Sequence, residues 1–120
     1  MNVPVLASCA VWHNFLPVQV IREAVNLAPK ISWSRGDTPN GKTPKDRTYC
    51  RFEIGTIDLG MANFDRTPFE RFSSLKRIGG FFSSGGVIIF YLKPLSDVEL
   101  YLNYKFLEML SRIPAEIVIR

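Results

Sequence analysis

Residues 3–35 read VPVLASCAVWHNFLPVQVIREAVNLAPKISWSR, and the changes of period along them decide the fold class. Val3, Val5, Ala7, Cys9 and Val11 alternate with Pro4, Leu6, Ser8, Ala10 and Trp12, the pattern of a strand. Apolar residues stand on both parities, so both faces of that strand are expected to be partly buried. Pro17 suits a first helical turn. Val18, Ile21, Ala24, Val25 and Ala28 follow at helical spacing, with Arg22, Glu23 and Asn26 on the other side, and Pro29 is the expected stop. Ile31 to Arg35 then resumes alternation as a short strand.

The same order, strand, helix, proline and strand, is read again near the other end. Val87 to Leu92 is apolar on both parities, as expected of a central strand covered on both faces or placed at an interface. Pro94 stops it. The following helix has two candidate starts: Ser96 with Glu99 fits a capping box, and Asn103 can cap a helix whose stripe is Phe106, Leu107, Leu110 and Ile113. Asn103 is the preferred start. Pro114 ends this helix, and Glu116 to Arg120 forms a closing strand. Between the two units, Tyr49 to Ile57 is the plainest strand, with Cys50, Phe52 and Ile54 on one face and Tyr49, Arg51 and Glu53 on a wet one. In residues 60–86, Phe64, Phe69, Phe72, Leu75 and Ile78 read as one short amphipathic turn or helix. Gly79 to Gly86 then breaks any regular pattern. The expected architecture is a single α+β domain over residues 1–120, a ferredoxin-like or related two-layer sandwich. It has a mixed β-sheet, two helices on one face and a βαβ pseudo-repeat.

With 47% hydrophobic and 22% charged residues in 120, the chain can bury a core without a metal or a disulfide framework, which excludes intrinsic disorder. Its longest apolar run falls far short of the roughly 18 residues of a membrane helix, and the N-terminus lacks the basic start of a secretory signal. A soluble, cytoplasmic protein with reduced cysteines and no membrane association is expected. The net charge of +4 is concentrated in one segment, where Arg35, Lys42, Lys45, Arg47 and Arg51 stand against Asp37 and Asp46. Such a segment either meets phosphate or an acidic protein, or serves as solvated loop charge.

The string from Ile21 to Asp37, with Pro29 followed by a short strand and Arg35-Gly36-Asp37, resembles a widespread bacterial family of small domains of unknown function. Tyr104 to Arg120, a helix with paired leucines before a closing aliphatic strand, resembles the same family. The likeness covers about half the chain. Members often have a longer helix between the third and fourth strands and a charged, aromatic-ended last strand, which this chain lacks. The resemblance implies a fold and a bacterial or mobile-gene setting, with immunity or accessory roles suspected for some members. It carries over no catalytic residue.

Chemistry has few footholds. His13 follows the first strand, and Cys9 lies four residues before it, roughly 13 Å along a strand, too far to pair. Cys50 could approach His13 across the sheet, but it shares parity with Phe52 and Ile54 and reads as core. A Cys9–Cys50 disulfide is conceivable only if their strands are neighbours. Two cysteines and one histidine lack the spacing of a zinc site, so no metal and no cofactor is expected. The glycine-rich stretch lacks the Gly-Lys-Ser/Thr ending of a phosphate loop. Glu53 and Asp58 fall on opposite parities, and Asp37 and Asp46 lie among cations, so no catalytic residue is assigned.

Three functional readings follow. The leading one is a non-catalytic interaction protein acting through protein contacts, as a homodimer or with another protein, in an immunity or accessory role. The second is single-stranded nucleic-acid binding through Trp33, Arg35, Tyr49 and Arg51, whose aromatic and basic character suits stacking and phosphate contact. Against it, Glu53 sits beside that path and the usual RNA-platform signature is missing. The third is a small-molecule site, or an enzyme of unknown class, between the sheet and the glycine-rich segment. Asp37, beside the basic loop, and Phe81 and Phe82, on a segment that can reach a partner or fold back on the core, complete the candidate binding residues.

Overall fold

A computed structural model describes residues 3–60, 64–95 and 104–120. The alternating segments become strands β1 (Pro4–His13), β2 (Ile31–Trp33), β3 (Thr48–Asp58), β4 (Val87–Pro94) and β5 (Ala115–Ile119). They form one mixed sheet in the order β2-β3-β1-β4-β5. β1 is antiparallel to both β3 and β4, β2 is antiparallel to β3, and only β4 and β5 run parallel. The domain is therefore α+β, a sheet with its helical segments packed into one core layer.

Among the described residues three helical segments cover the sheet, the two expected helices and, between β3 and β4, the segment expected as one short amphipathic turn or helix. Helix α1 (Val18–Val25) buries Ile21 and Val25, but it stops well before Pro29. Asn26 adopts a left-handed conformation, φ 58°, and its N–H returns to the Arg22 carbonyl, a cap that ends the helix and leaves Ala28 exposed. Helix α2 (Thr67–Glu70) runs directly into a 3₁₀ helix, Arg71–Arg77. Here Phe69, Phe72 and Leu75 recur every three residues, the spacing that stacks side chains on one face of a 3₁₀ helix, and all three are fully buried. Helix α3 (Tyr104–Ser111) turns Phe106 and Met109 inward. Leu107, expected in the stripe, points out at 47% exposure, because Phe106, Met109, Leu110 and Ile113 already complete a helical face. Ser96, Glu99 and Asn103, the candidate helix starts, lie outside the described residues.

Alternate residues of the strands supply the rest of the core. Val5, Ala7, Cys9 and Val11 of β1, Cys50 and Phe52 of β3, and Ile88, Phe90 and Leu92 of β4 join the helical residues in one cluster. Phe72 meets Phe52 and Phe90 edge-on at 5.3 and 5.7 Å, and Phe69 meets Phe90 and Phe106, each at 5.3 Å. Each fully buried phenylalanine contributes up to about 3 kcal/mol of transfer free energy.

The two strand-helix-strand units share element order but differ in pairing. β4 and β5 are adjacent and parallel, whereas β3 lies between β1 and β2, so the expected repeat does not extend to the sheet. β3 also breaks its own parity. Opposite Ala7 and Ser8 it carries Gly55 and Glu53, leaving Ile54 as the extra residue of a bulge, and Gly55 takes φ +103°, a conformation glycine adopts without steric cost. Beyond the bulge, Ile57 stands opposite Val5 on the core side.

Candidate binding face of the sheet

The register lays the remaining strand residues out as rows on the opposite side of the sheet, which no helix among the described residues covers. Trp33, Tyr49 and Trp12 are opposite one another on β2, β3 and β1. Arg51, Ala10 and Ile89 form the next row, then Glu53, Ser8, Tyr91 and Val118, then Thr56, Leu6 and Lys93. β4 is thus covered by core on one face only. Val87, Ile89 and Tyr91 are half-buried on the other.

The first row is an aromatic cluster. Tyr49 lies between the two tryptophans, 4.4 Å from Trp12 and 4.7 Å from Trp33 between ring centroids, and the indoles are 6.3 Å apart. The loop after β2 folds back over it. Gly36 N–H donates to the Lys45 carbonyl, Lys45 N–H donates to the Asp37 carbonyl, and the Asp37 carboxylate accepts from Ser34 N–H. This brace sets Lys45 Nζ 4.3 Å from the centre of the Trp33 ring and the Arg47 guanidinium 5.0 Å from that of Trp12. The basic loop and the aromatic row therefore make one surface.

At the other end of the face the small Ser8 leaves a shallow cavity of about 80 Å³ between Arg51, Glu53, Tyr91, Lys93 and Arg120. The Arg120 guanidinium rests 4.2 Å from the Tyr91 ring centre, while Glu53 is held by Arg51 at 3.6 Å and Lys30 at 3.8 Å. Burial raises the Tyr49 phenol above its ordinary value, against the opposing pull of the Arg51 and Arg120 charges, so it stays protonated at neutral pH.

The seven candidate residues do not make one site. Trp33, Tyr49 and Arg51 share the bare face. Arg35 is exposed at the start of the loop, its N–H held by Thr48 Oγ1, and Asp37 serves as the loop's brace. Phe81 belongs to the other side of the sheet: it is 2% exposed, its ring lies 5.0 Å from that of His13, and Phe82 packs against it. Gly86 donates its N–H to the Phe81 carbonyl and lies so close that any side chain there would strike the Phe81 ring. The glycine-rich segment thus packs onto the core through Phe81. Arg47, expected in the basic segment, joins the bare face through Trp12, and Trp12, Tyr91, Lys93 and Arg120 join it without having been among the candidates, although the shared parity of Trp12 with Ser8 and Ala10 already placed it on that side.

On the covered side, His13 is the last residue of β1, and its Nδ1 accepts the N–H groups of Phe15 and Leu16, each at 3.1 Å. Burial lowers its pKa from 6.5; the nearby Arg47 charge adds to this and a contact with the Phe81 backbone opposes it. Cys9 and Cys50 lie on neighbouring strands, yet Cys50 stands opposite Val11 and both are free, buried thiols. Burial pushes the Cys50 thiol up to about 12 and raises Cys9 well above its ordinary value, so neither is an activated nucleophile. Among the described residues no group of three or more His, Cys, Asp or Glu could hold a metal ion, and no helix is long and apolar enough to cross a membrane. No family model matches the chain, and neither a curated protein nor a solved structure matches it.

Proposed function

We propose that this chain is a non-catalytic binding protein that meets an acidic protein partner through the bare face of its sheet, in an immunity or accessory role, and that it works as a homodimer. The observation that carries the reading is the placement of Lys45 and Arg47 on the tryptophan rings. Among the described residues, Lys45, Arg47 and Lys93 have no carboxylate within ion-pair distance. A partner's carboxylates can pair with these cations as they stand, and the aromatic rows give the contact its apolar area. We also read the first four strands, in the order β2-β3-β1-β4 with the helical segments between them, as a ferredoxin-like unit to which α3 and β5 are added.

The second reading, single-stranded nucleic acid on the same face, draws support from the Trp12, Trp33 and Tyr49 rings. A stacking base would have to displace Lys45 or Arg47 from the ring faces they occupy, which favours the protein reading. Both tryptophans of the chain lie in this cluster, so their fluorescence reports the site selectively. Titration with an oligoglutamate peptide and with a mixed-sequence RNA oligomer, each at low and moderate salt, separates the two. The protein reading expects salt-sensitive oligoglutamate binding that Lys45→Glu and Arg47→Glu abolish. Tighter RNA binding with strong quenching supports the nucleic-acid reading instead, and no response to either ligand at low salt overturns both.

A further inference from the structure

The two edges of the sheet are finished differently. β2 ends one side with three residues, whereas β5 ends the other with Ala115-Glu116-Ile117-Val118-Ile119. Long apolar edges are usually shortened, bulged or guarded by lysine or proline, because their unpaired N–H and C=O groups can template another strand. β5 is short, but Ile117 to Ile119 carry no lysine, proline or bulge, and Val118 and Ile119 are 36% and 52% exposed. Arg120 N–H donates to the Leu92 carbonyl, so alternation directs the backbone groups of Ile117 and Ile119 toward the outer edge. Among the described residues no strand pairs with that edge.

We propose that a second copy of this chain occupies it, β5 against β5 in antiparallel pairing about a two-fold axis at Val118. This names the interface of the homodimer read above. Only outward-facing residues can exchange hydrogen bonds, which restricts the register to steps of two. With Val118 opposite itself, Ile117 pairs with Ile119 of the second copy on the helix side, and Glu116 stands opposite Arg120 of the second copy on the bare side. Shifting by two residues either way sets Glu116 or Arg120 opposite Val118. The strand is thus self-complementary in charge and apolar contact in one register, as an isologous interface requires. The two-fold axis runs through the sheet, so both bare faces lie on the same side of one ten-stranded sheet. A single short strand pair makes a small interface, and the dimer is expected to be concentration-dependent.

Sedimentation equilibrium of the full chain, from low micromolar to submillimolar, tests this. The mass is expected to rise from 13.7 kDa toward twice that value. Glu116→Arg and Arg120→Glu each set like charges opposite one another twice per dimer and should weaken association about tenfold. Combining them restores opposite charges and most of the association. Within one chain these positions lie roughly 13 Å apart, so the rescue has to come from the second copy. Ile119→Pro removes an outward N–H under an exposed side chain, and should leave a monomer with unchanged far-ultraviolet circular dichroism. A mass fixed at one chain throughout overturns both the homodimer and this interface. A dimer indifferent to all three substitutions overturns the interface alone and moves the dimer to another surface. Single variants that weaken association without rescue in combination overturn the register.

Discussion

Phe52 and Tyr49 stand three residues apart on β3 and live in different solvents. Phe52 is fully buried under the helical layer, edge-on to Phe72, while Tyr49 is half-buried on the bare face between two indoles and next to a row of cations. The covered face uses phenylalanine, which brings no polar atom that needs a partner. The bare face uses tryptophan and tyrosine, whose rings offer apolar area and whose polar tips and faces tolerate water and cations. The difference shows that this chain's aromatic residues serve two purposes, holding the fold on one side and forming a surface on the other.

That contrast is broken most directly by paired substitutions. Phe52→Ala should cost about 3–5 kcal/mol in denaturant unfolding, and Tyr49→Ala about 1–2 kcal/mol. Equal losses would mean that the bare face is part of the core. Gly86→Ala drives a methyl group into the Phe81 ring and should cost about 1–3 kcal/mol, although it changes nothing on the bare side. The covered face should also carry the chain's histidine-linked pH dependence. His13 is neutral in folded and unfolded chains well above pH 6.5, its ordinary value. Below it the unfolded chain takes up a proton that the folded ring resists because it is buried and faces the Arg47 charge. Stability should therefore fall as pH drops from 6.5 through the depressed folded value, and His13→Asn should flatten that fall. On the same side, alkylation of Cys50 at pH 8 should be far slower in the folded chain than in urea, since the thiol is fully buried and burial pushes it up to about 12. The smallest effect on stability belongs to Lys45→Glu and Arg47→Glu, within about 1 kcal/mol of the parent, and their effect on binding should be the largest.

Local period made much of this fold legible. β1, β3, β4 and β5 and the helix after Pro17 follow from alternation and helical spacing in segments long enough to show them. Boundaries were set by finer chemistry: Asn26, tolerant of a left-handed backbone, ended α1 before Pro29 did. Phe69, Phe72 and Leu75 read as part of one short amphipathic turn or helix, and their spacing of three marks its 3₁₀ part. The bare face was half legible. Parity put Tyr49 and Arg51 on a wet side and Trp12 with Ser8 and Ala10, and suggested Trp33 as a neighbour, while the meeting of these residues with Tyr91 and Arg120 comes through register, which depends on residues far apart in the chain. For Phe81 the glycine-rich neighbourhood left open whether the ring reaches a partner or folds back on the core, and the structure has it on the core, where Gly86 lets ring and strand touch.

β1 lies at the centre of the sheet, with β3 on one side and β4 on the other. It precedes both of its partners in the chain, and the later of them ends only at Pro94. For most of synthesis the apolar run from Val3 to Val11 therefore has at least one unpaired edge, and the pairings that close the sheet have high contact order. Slow, late closure around β1 is the expected folding behaviour, with an edge of β1 open in any intermediate that precedes the pairing with β4.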